Sequence, residues 1–433
     1  MLPYYSYRLI TTLIRPFIVF YILIRILKGK EDRLRVTERY GTSDIKRKDG
    51  KVIWFHAASI GESLSILPLL KKLNSDKSID QIILTTGTLT SANILKDKLS
   101  KKIIHQFIPF DVPSYIHKFL NHWNPSLAVF VESEIWPNFL TELKKRNVCS
   151  LIVNGRMTIK SFKRWSMLSG SSKNLFSKIT ACCTQNSDSA FFYEKLGVKN
   201  TINTGNLKFA YKPDEIISDE LKKLRSLTKK RKIFLAASTH PGEEELMIKL
   251  ADLLRKKSHE NILIIIAPRH INRSLGIQNR IKAAGFDIKS RSKGEYPSKN
   301  DVFYLSDTMG EMGSLMEISD LVFVAGSMVP VGGHSPSEAS QFGKPVIMGP
   351  HSEKCDAQIK DLVWSGGAIQ IEKGPKMNEN FINNIVELLN NSERLEDMGR
   401  NSLIASGYAQ QRADEASVNL IELLKTYRNK NVA

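Results

Sequence analysis

Residues 321–350 read LVFVAGSMVPVGGHSPSEASQFGKPVIMGP. The apolar run 321–325 predicts a buried parallel strand. A glycine-rich turn follows, with Gly326, Gly332 and Gly333, and Ser335-Pro336-Ser337-Glu338 predicts the start of a helix. Gly343-Lys344-Pro345 ends that helix, and residues 345–348 read as the next strand. Strand, loop, helix and strand in this order put the loop where open α/β sheets bind ligands.

Residues 335–338 carry two readings. One is a capping box, with Ser335 at N-cap, Pro336 in the first turn and Glu338 reaching back to the cap amide. The other is a nucleotide site. Glycines let backbone approach a phosphate, a helix N-terminus favours an anion, and a carboxylate accepts hydrogen bonds from ribose hydroxyls. The stretch alone does not separate them.

The chain has 433 residues, enough for two domains. Lys and Arg number 63 against 44 acids, a net charge of +19, which asks for an anionic partner. The cysteines are Cys149, Cys182, Cys183 and Cys355, without a CxxC pair, so neither a disulfide framework nor a zinc pattern is expected. There is no Asp-x-Asp triplet, and no metal is expected.

Residues 1–27 are apolar and aromatic, interrupted by Arg8, Arg15, Pro16 and Arg25, and a cationic cluster from Lys28 to Lys48 follows. An apolar segment followed by cations predicts an N-terminal membrane-anchoring helix over residues 1–30, its basic side in the cytoplasm, attracted to anionic lipid. Whether it spans or lies in one leaflet stays open. An ordinary amphipathic core helix is the alternative.

Strands are expected at 52–56, 81–86, 105–110, 127–131 and 151–154, each leading toward a helix, which predicts a parallel, doubly wound sheet. Glu62 opens the helix after the first strand. An acid there favours the helix dipole. It also stands at the ligand edge of a sheet, where a carboxylate can act as general base. Glu132-Ser133-Glu134-Ile135-Trp136 follows the 127–131 strand, and Lys208 follows another short apolar run. Residues 212–232 are polar and charged and predict a linker between a domain at 31–211 and one at 233–405. The second domain repeats the pattern, with strands at 233–237, 262–267, 302–304 and 321–325, and a C-terminal helix is expected over 406–433. Two Rossmann-like halves facing a cleft is the GT-B glycosyltransferase plan, by analogy.

At this point the motifs resemble a family, the 3-deoxy-D-manno-octulosonic acid (Kdo) transferases of lipopolysaccharide assembly. The matching segments are HAASIGES (56–63), PFDVP (109–113), VESEIWPN (131–138), TGNLKF (204–209), STHPGEE (238–244), APRH (267–270), DTMGEMG (307–313) and GGHSPSEA (332–339) with MGPH (348–351). Near Glu338 the family commonly has Asn-Pro-Leu-Glu where this chain has Ser335-Pro336-Ser337-Glu338. The resemblance implies transfer of Kdo from CMP-Kdo to a hydroxyl of a lipid A precursor, lipid IVA, with inversion, at the cytoplasmic side of the cell inner membrane. It implies Glu62 as general base, with Glu132 and Lys208 supporting the transition state. It implies CMP contacts from Pro268 and Arg269, from Met309, Gly310 and Glu311, and from Ser335, Pro336, Ser337 and Glu338. It implies no cofactor beyond the donor. Two rivals are a GT-B enzyme using a UDP-sugar and a basic, membrane-anchored binding protein. The latter predicts a continuous basic-aromatic stripe. The cations here are spread over helices, so no nucleic acid partner is expected.

Overall fold

Val52–His56 (VIWFH) forms the first strand, β1, buried at all five positions. A strand without polar alternation must be covered on both faces. Ile53 and Phe55 enter one apolar cluster, while Val52 and Trp54 enter another on the opposite face. There the Trp54 ring meets Phe119, Phe130 and Phe139 at 4.9, 5.3 and 5.0 Å between centroids.

The computed structural model describes residues 2–210, 219–256 and 261–429. The chain divides into two units, 1–211 with 410–433, and 212–409. The first unit continues with β2 (Gln81–Thr86), β3 (Ile103–Phe107), β4 (Leu127–Val131), β5 (Cys149–Gly155), β6 (Ala181–Thr184) and β7 (Thr201–Asn203). They form one parallel sheet in the order β3-β2-β1-β4-β5-β6-β7. The second unit has β8 (Lys232–Thr239), β9 (Ile262–Pro268), β10 (Ile288–Ser290), β11 (Phe303–Leu305), β12 (Leu321–Val324), β13 (Val346–Met348) and β14 (Ala368–Gln370). Its parallel order is β10-β11-β9-β8-β12-β13-β14. The chain changes direction across each sheet between β1 and β4, and between β8 and β12. Ligand crevices open at the carboxyl ends of strands at such switch points.

Several elements differ from expectation. The strand expected at 105–110 forms two residues earlier, as Ile103–Phe107, since Pro109 lacks the N–H a strand must donate. Strands β6, β7, β10 and β14, three or four residues long, were not expected; β7, β10 and β14 mix polar with apolar residues and lack the continuous apolar run that marks β12. The expected single anchor helix is two helices, Leu2–Leu13 and Arg15–Leu27. Tyr4–Leu13 and Arg15–Leu27 meet at 60°. Pro16 in the first turn of the second helix explains the break, because it can start a helix but not continue one. Among the described residues no single helix is long and apolar enough to cross a membrane, whereas the two helices of this bent pair together have that length and apolar composition.

Within the tract expected as a linker, residues 212–218 lie outside the described residues. Asp219–Thr228 is a helix whose Leu224 is buried. The C-terminal helix is longer than expected, Ser392–Asn429. Its Ala416, Leu420 and Leu424 pack into the first unit's core with Ile66 and Leu70.

Candidate active site

In the first unit the site grows from the ends of β1, β4 and β5. After β1 the chain turns into the helix Ile60–Asn74, capped by Ser59, whose side chain accepts from the Glu62 N–H. The Glu62 carboxylate returns the contact twice. It accepts from the Ala58 N–H at 2.8 Å and from the Ser59 hydroxyl at 2.8 Å. This is a reciprocal cap, so the side chain is fixed in place. Burial pushes its pKa above the ordinary carboxylate range, and the charges of Glu132 and Glu134 add to this against those two hydrogen bonds.

Glu132 follows β4 in a left-handed conformation, φ +60°, a region that costs a residue with a Cβ and persists where the surroundings enforce it. Its backbone N–H donates to Val153 on β5 at 3.0 Å. Its carboxylate meets the Lys208 ammonium at 2.7 Å. Lys208 lies in the short turn Leu207–Ala210, tethered by the Leu207 N–H donating to the Asn154 side chain at 2.9 Å. Asn154 is itself left-handed, φ +54°, and fully buried. Three strand ends therefore aim Glu62, Glu132 and Lys208 into one neighbourhood. Glu134, whose pKa is lowered, accepts from Trp136 Nε1 at 2.7 Å and faces His56 Nε2 at 3.5 Å. Beside Ala58 lies a cavity of about 300 Å³ bordered by Tyr21, Arg25, Arg39, His56 and Trp136.

In the second unit the expected contacts occupy the loops after β9, β11 and β12. Pro268 closes β9 and is buried, and Arg269 is exposed, with its N–H donating to Thr239. Met309 is 58% exposed, and Gly310 has φ +89°. The Glu311 carboxylate is engaged by the Arg291 guanidinium at 2.7 and 3.2 Å and by the Thr308 hydroxyl. What that turn offers a ligand is therefore chiefly backbone.

The capping-box reading of residues 335–338 is corrected. The helix runs Ser337–Gln341, its cap position is Pro336 in helical geometry, and no side chain caps it. The Glu338 carboxylate lies against Gly313, and Ser335 lies one residue before that cap position. Its hydroxyl instead accepts from the Ser337 N–H at 3.3 Å and pairs with the Ser337 hydroxyl at 2.8 Å. Burial alone pushes the Glu338 pKa up. Its carboxylate lies against Gly313, where an added Cβ would come within 3.3 Å of it, so the 309–313 turn and the 335–338 turn adjoin.

The glycine-rich loop also departs from expectation. The Gly326, Ser327 and Met328 N–H groups all donate to the buried Glu243 carboxylate, at 2.8–3.1 Å, as does His240 N–H. The amides expected to face a phosphate are thus filled by an internal anion. Glu243 was not singled out from the sequence, nor were His240 and His334, whose Nε2 atoms are 2.9 Å apart. The available signals were the placement of Glu243 and His240 directly after β8 and the positions of all three inside the segments 238–244 and 332–339.

The two parallel-sheet α/β units are those of the GT-B glycosyltransferases. Residues 34–211 match the family described as 3-Deoxy-D-manno-octulosonic-acid transferase (kdotransferase), and residues 218–403 match Glycosyl transferases group 1. The chain is 35% identical over 400 residues to a 3-deoxy-D-manno-octulosonic acid transferase of Rickettsia bellii, covering 92% of this chain and 94% of that one. It is 32% identical to that of Haemophilus influenzae, covering 99% of each. Among solved structures, a glycosyltransferase from Rickettsia africae aligns with TM-score 0.56 at 13% identity, over 88% of this chain and 99% of that one. The chain belongs to the 3-deoxy-D-manno-octulosonic acid transferase family.

Proposed function

We propose that the protein transfers Kdo from CMP-Kdo to a hydroxyl of a lipid A precursor, with inversion, and that Glu62 is the general base. The observation that carries this is the Glu62 carboxylate, fixed by two hydrogen bonds at the ligand edge of the first sheet and biased toward taking a proton. As the acceptor oxygen attacks the anomeric carbon, Glu62 takes its proton. The bond to the cytidylate breaks on the opposite face, and the nucleotide leaves as CMP. A base so placed contributes about 10²–10⁴-fold. The Lys208 ammonium, held by Glu132, answers the negative charge that develops. Arg269 offers the donor a two-pronged cation, and Glu338 offers its ribose an acceptor.

The acceptor's acyl chains give the N-terminal helices a role. Leu9, Leu13, Phe17, Phe20, Leu23 and Leu27 are all more than half exposed. The first helix is held to the first unit through Tyr7, whose hydroxyl donates to Asp111 at 2.9 Å. A helix tied down on one side and apolar on the other suits the plane of a bilayer. We therefore read the pair as an in-plane anchor on the cytoplasmic side of the inner membrane, attracted to anionic lipid.

Mass spectrometry of the product tests this reading. Purified protein given lipid IVA and CMP-Kdo is expected to yield the Kdo-extended lipid and to give none with UDP-sugars. Turnover with a UDP-sugar and none with CMP-Kdo would contradict it.

A further inference from the structure

Loops from four strands of the second unit gather basic groups at one point. His240 follows β8, Arg269 and His270 follow β9, His334 follows β12, and Lys354 follows β13. The His240 and His334 rings lie nearly parallel, 5.2 Å apart at 15°, and the His270 ring stands edge-on to His240 at 6.1 Å. Ser238, two residues before His240, has φ +62°, at the register shift between β8 and β9.

The Nε2–Nε2 separation of 2.9 Å has one chemical meaning. One nitrogen donates its proton and the other accepts it, because two N–H groups cannot face each other so closely. One ring therefore presents a bare Nε2. The carboxylates around the cluster are committed. Glu243 holds four backbone amides beneath it, Glu244 holds Arg273, and Glu353 faces His351 at 3.7 Å. Burial keeps both rings below the ordinary histidine range, His334 at about 4. The charges of Arg269, Lys354 and His270, together with Arg273 for His240, act in the same direction. Like charges gathered where the neighbouring carboxylates, among the described residues, are engaged elsewhere favour an arriving anion.

We propose that the His240–His334 pair receives the phosphate of the donor nucleotide and takes up one proton as it binds. The proton comes from solvent and goes to the bare Nε2. The N–H···N bond opens, and two N–H donors turn to the phosphate oxygens beside Arg269 and Lys354. When transfer leaves CMP, whose phosphate carries a further negative charge, that proton is retained until the nucleotide departs. The proposal rests on the cytidylate-donor reading above.

Calorimetry on the full chain in detergent tests it. The probe is the methyl ester of CMP, a phosphodiester that does not titrate near neutrality, with cytidine as control. Heats compared in two buffers of different ionisation enthalpy at pH 7 are expected to report about one proton taken up per ester bound. Affinity for the ester is expected to fall as pH rises from 6 to 8, by up to about tenfold per unit. His240→Asn and His334→Asn are each expected to abolish the uptake and weaken ester binding about tenfold or more, leaving cytidine binding within about twofold. That retained binding, with an unchanged near-UV circular dichroism spectrum, shows the variants folded. Ester binding without proton uptake and without pH dependence would overturn the inference, as would no uptake with any nucleotide. The same uptake with the uridine ester alone would overturn the cytidine reading and leave the pair's role standing.

Discussion

The Lys208 ammonium lies 2.7 Å from the Glu132 carboxylate, and the two residues come from loops more than seventy positions apart. The pair joins the ends of β4 and β7 and sits beside Glu62. Lys208→Met removes the cation while keeping the apolar stem. It is expected to lower kcat about 10²–10³-fold with little change in thermal stability, the scale found when one charge-stabilising donor is lost. The acidic limb of the rate profile should also move upward, because Glu132 then acts on Glu62 uncompensated. Steady-state rates against pH check both.

Glu243 is predicted to be structural. Its buried carboxylate satisfies four backbone N–H groups, and Glu243→Gln would turn a donor toward some of them. A loss of about 2 kcal/mol or more of folding stability is expected, read from denaturant unfolding of the variant.

His105 should be neutral in the fold. Its Nδ1 lies 3.0 Å from the Arg35 guanidinium, and burial together with Arg35 and Arg39 lowers its pKa to about 3. The unfolded chain has an ordinary histidine there, so below about pH 6.5 it binds a proton the fold does not. The His105 contribution is therefore fully present above pH 6.5 and is lost as pH falls from there toward 3. The expected slope is about 1.4 kcal/mol per pH unit. Unfolding measured from pH 7 to 5 in native protein and His105→Gln checks this, and the variant should lose that part of the slope.

Phe17 and Phe20 are 69% and 65% exposed on the second N-terminal helix. Burying a Phe contributes about 1.5–3 kcal/mol, so Phe17→Asp with Phe20→Asp should weaken binding to anionic vesicles by tenfold or more. Raising salt should weaken native binding through the flanking cations. Vesicle co-sedimentation measures both.

The central strands were legible in the sequence because they are continuous apolar runs closed by glycine or by polar loops. VIWFH and LVFVA are examples. The order of the loops followed from strand-helix alternation. The short strands late in the first unit were not legible: ACCT at β6, between β5 and β7, carries no period, and its Cys182 and Cys183 are buried on opposite faces by neighbours distant in sequence. Glu62 was legible as an acid in a first turn, while its bond to the Ala58 N–H depends on how the β1 turn closes. The filling of the Gly326 loop by Glu243 was hidden, since the partners lie 83 to 85 positions apart. The expected capping box did not form because the Glu338 carboxylate lies against Gly313, a partner 25 positions away that the local pattern does not reveal.

The proposed general-base role of Glu62 is tested most directly by single-turnover transfer from CMP-Kdo with Glu62→Gln. Glutamine can still accept from the Ala58 N–H, so the fold and CMP binding are expected to persist. The chemical step is expected to slow by about 10²–10⁴-fold and to lose its dependence on pH. A variant that transfers Kdo within a few-fold of the native rate, with the native pH profile, would contradict the assignment.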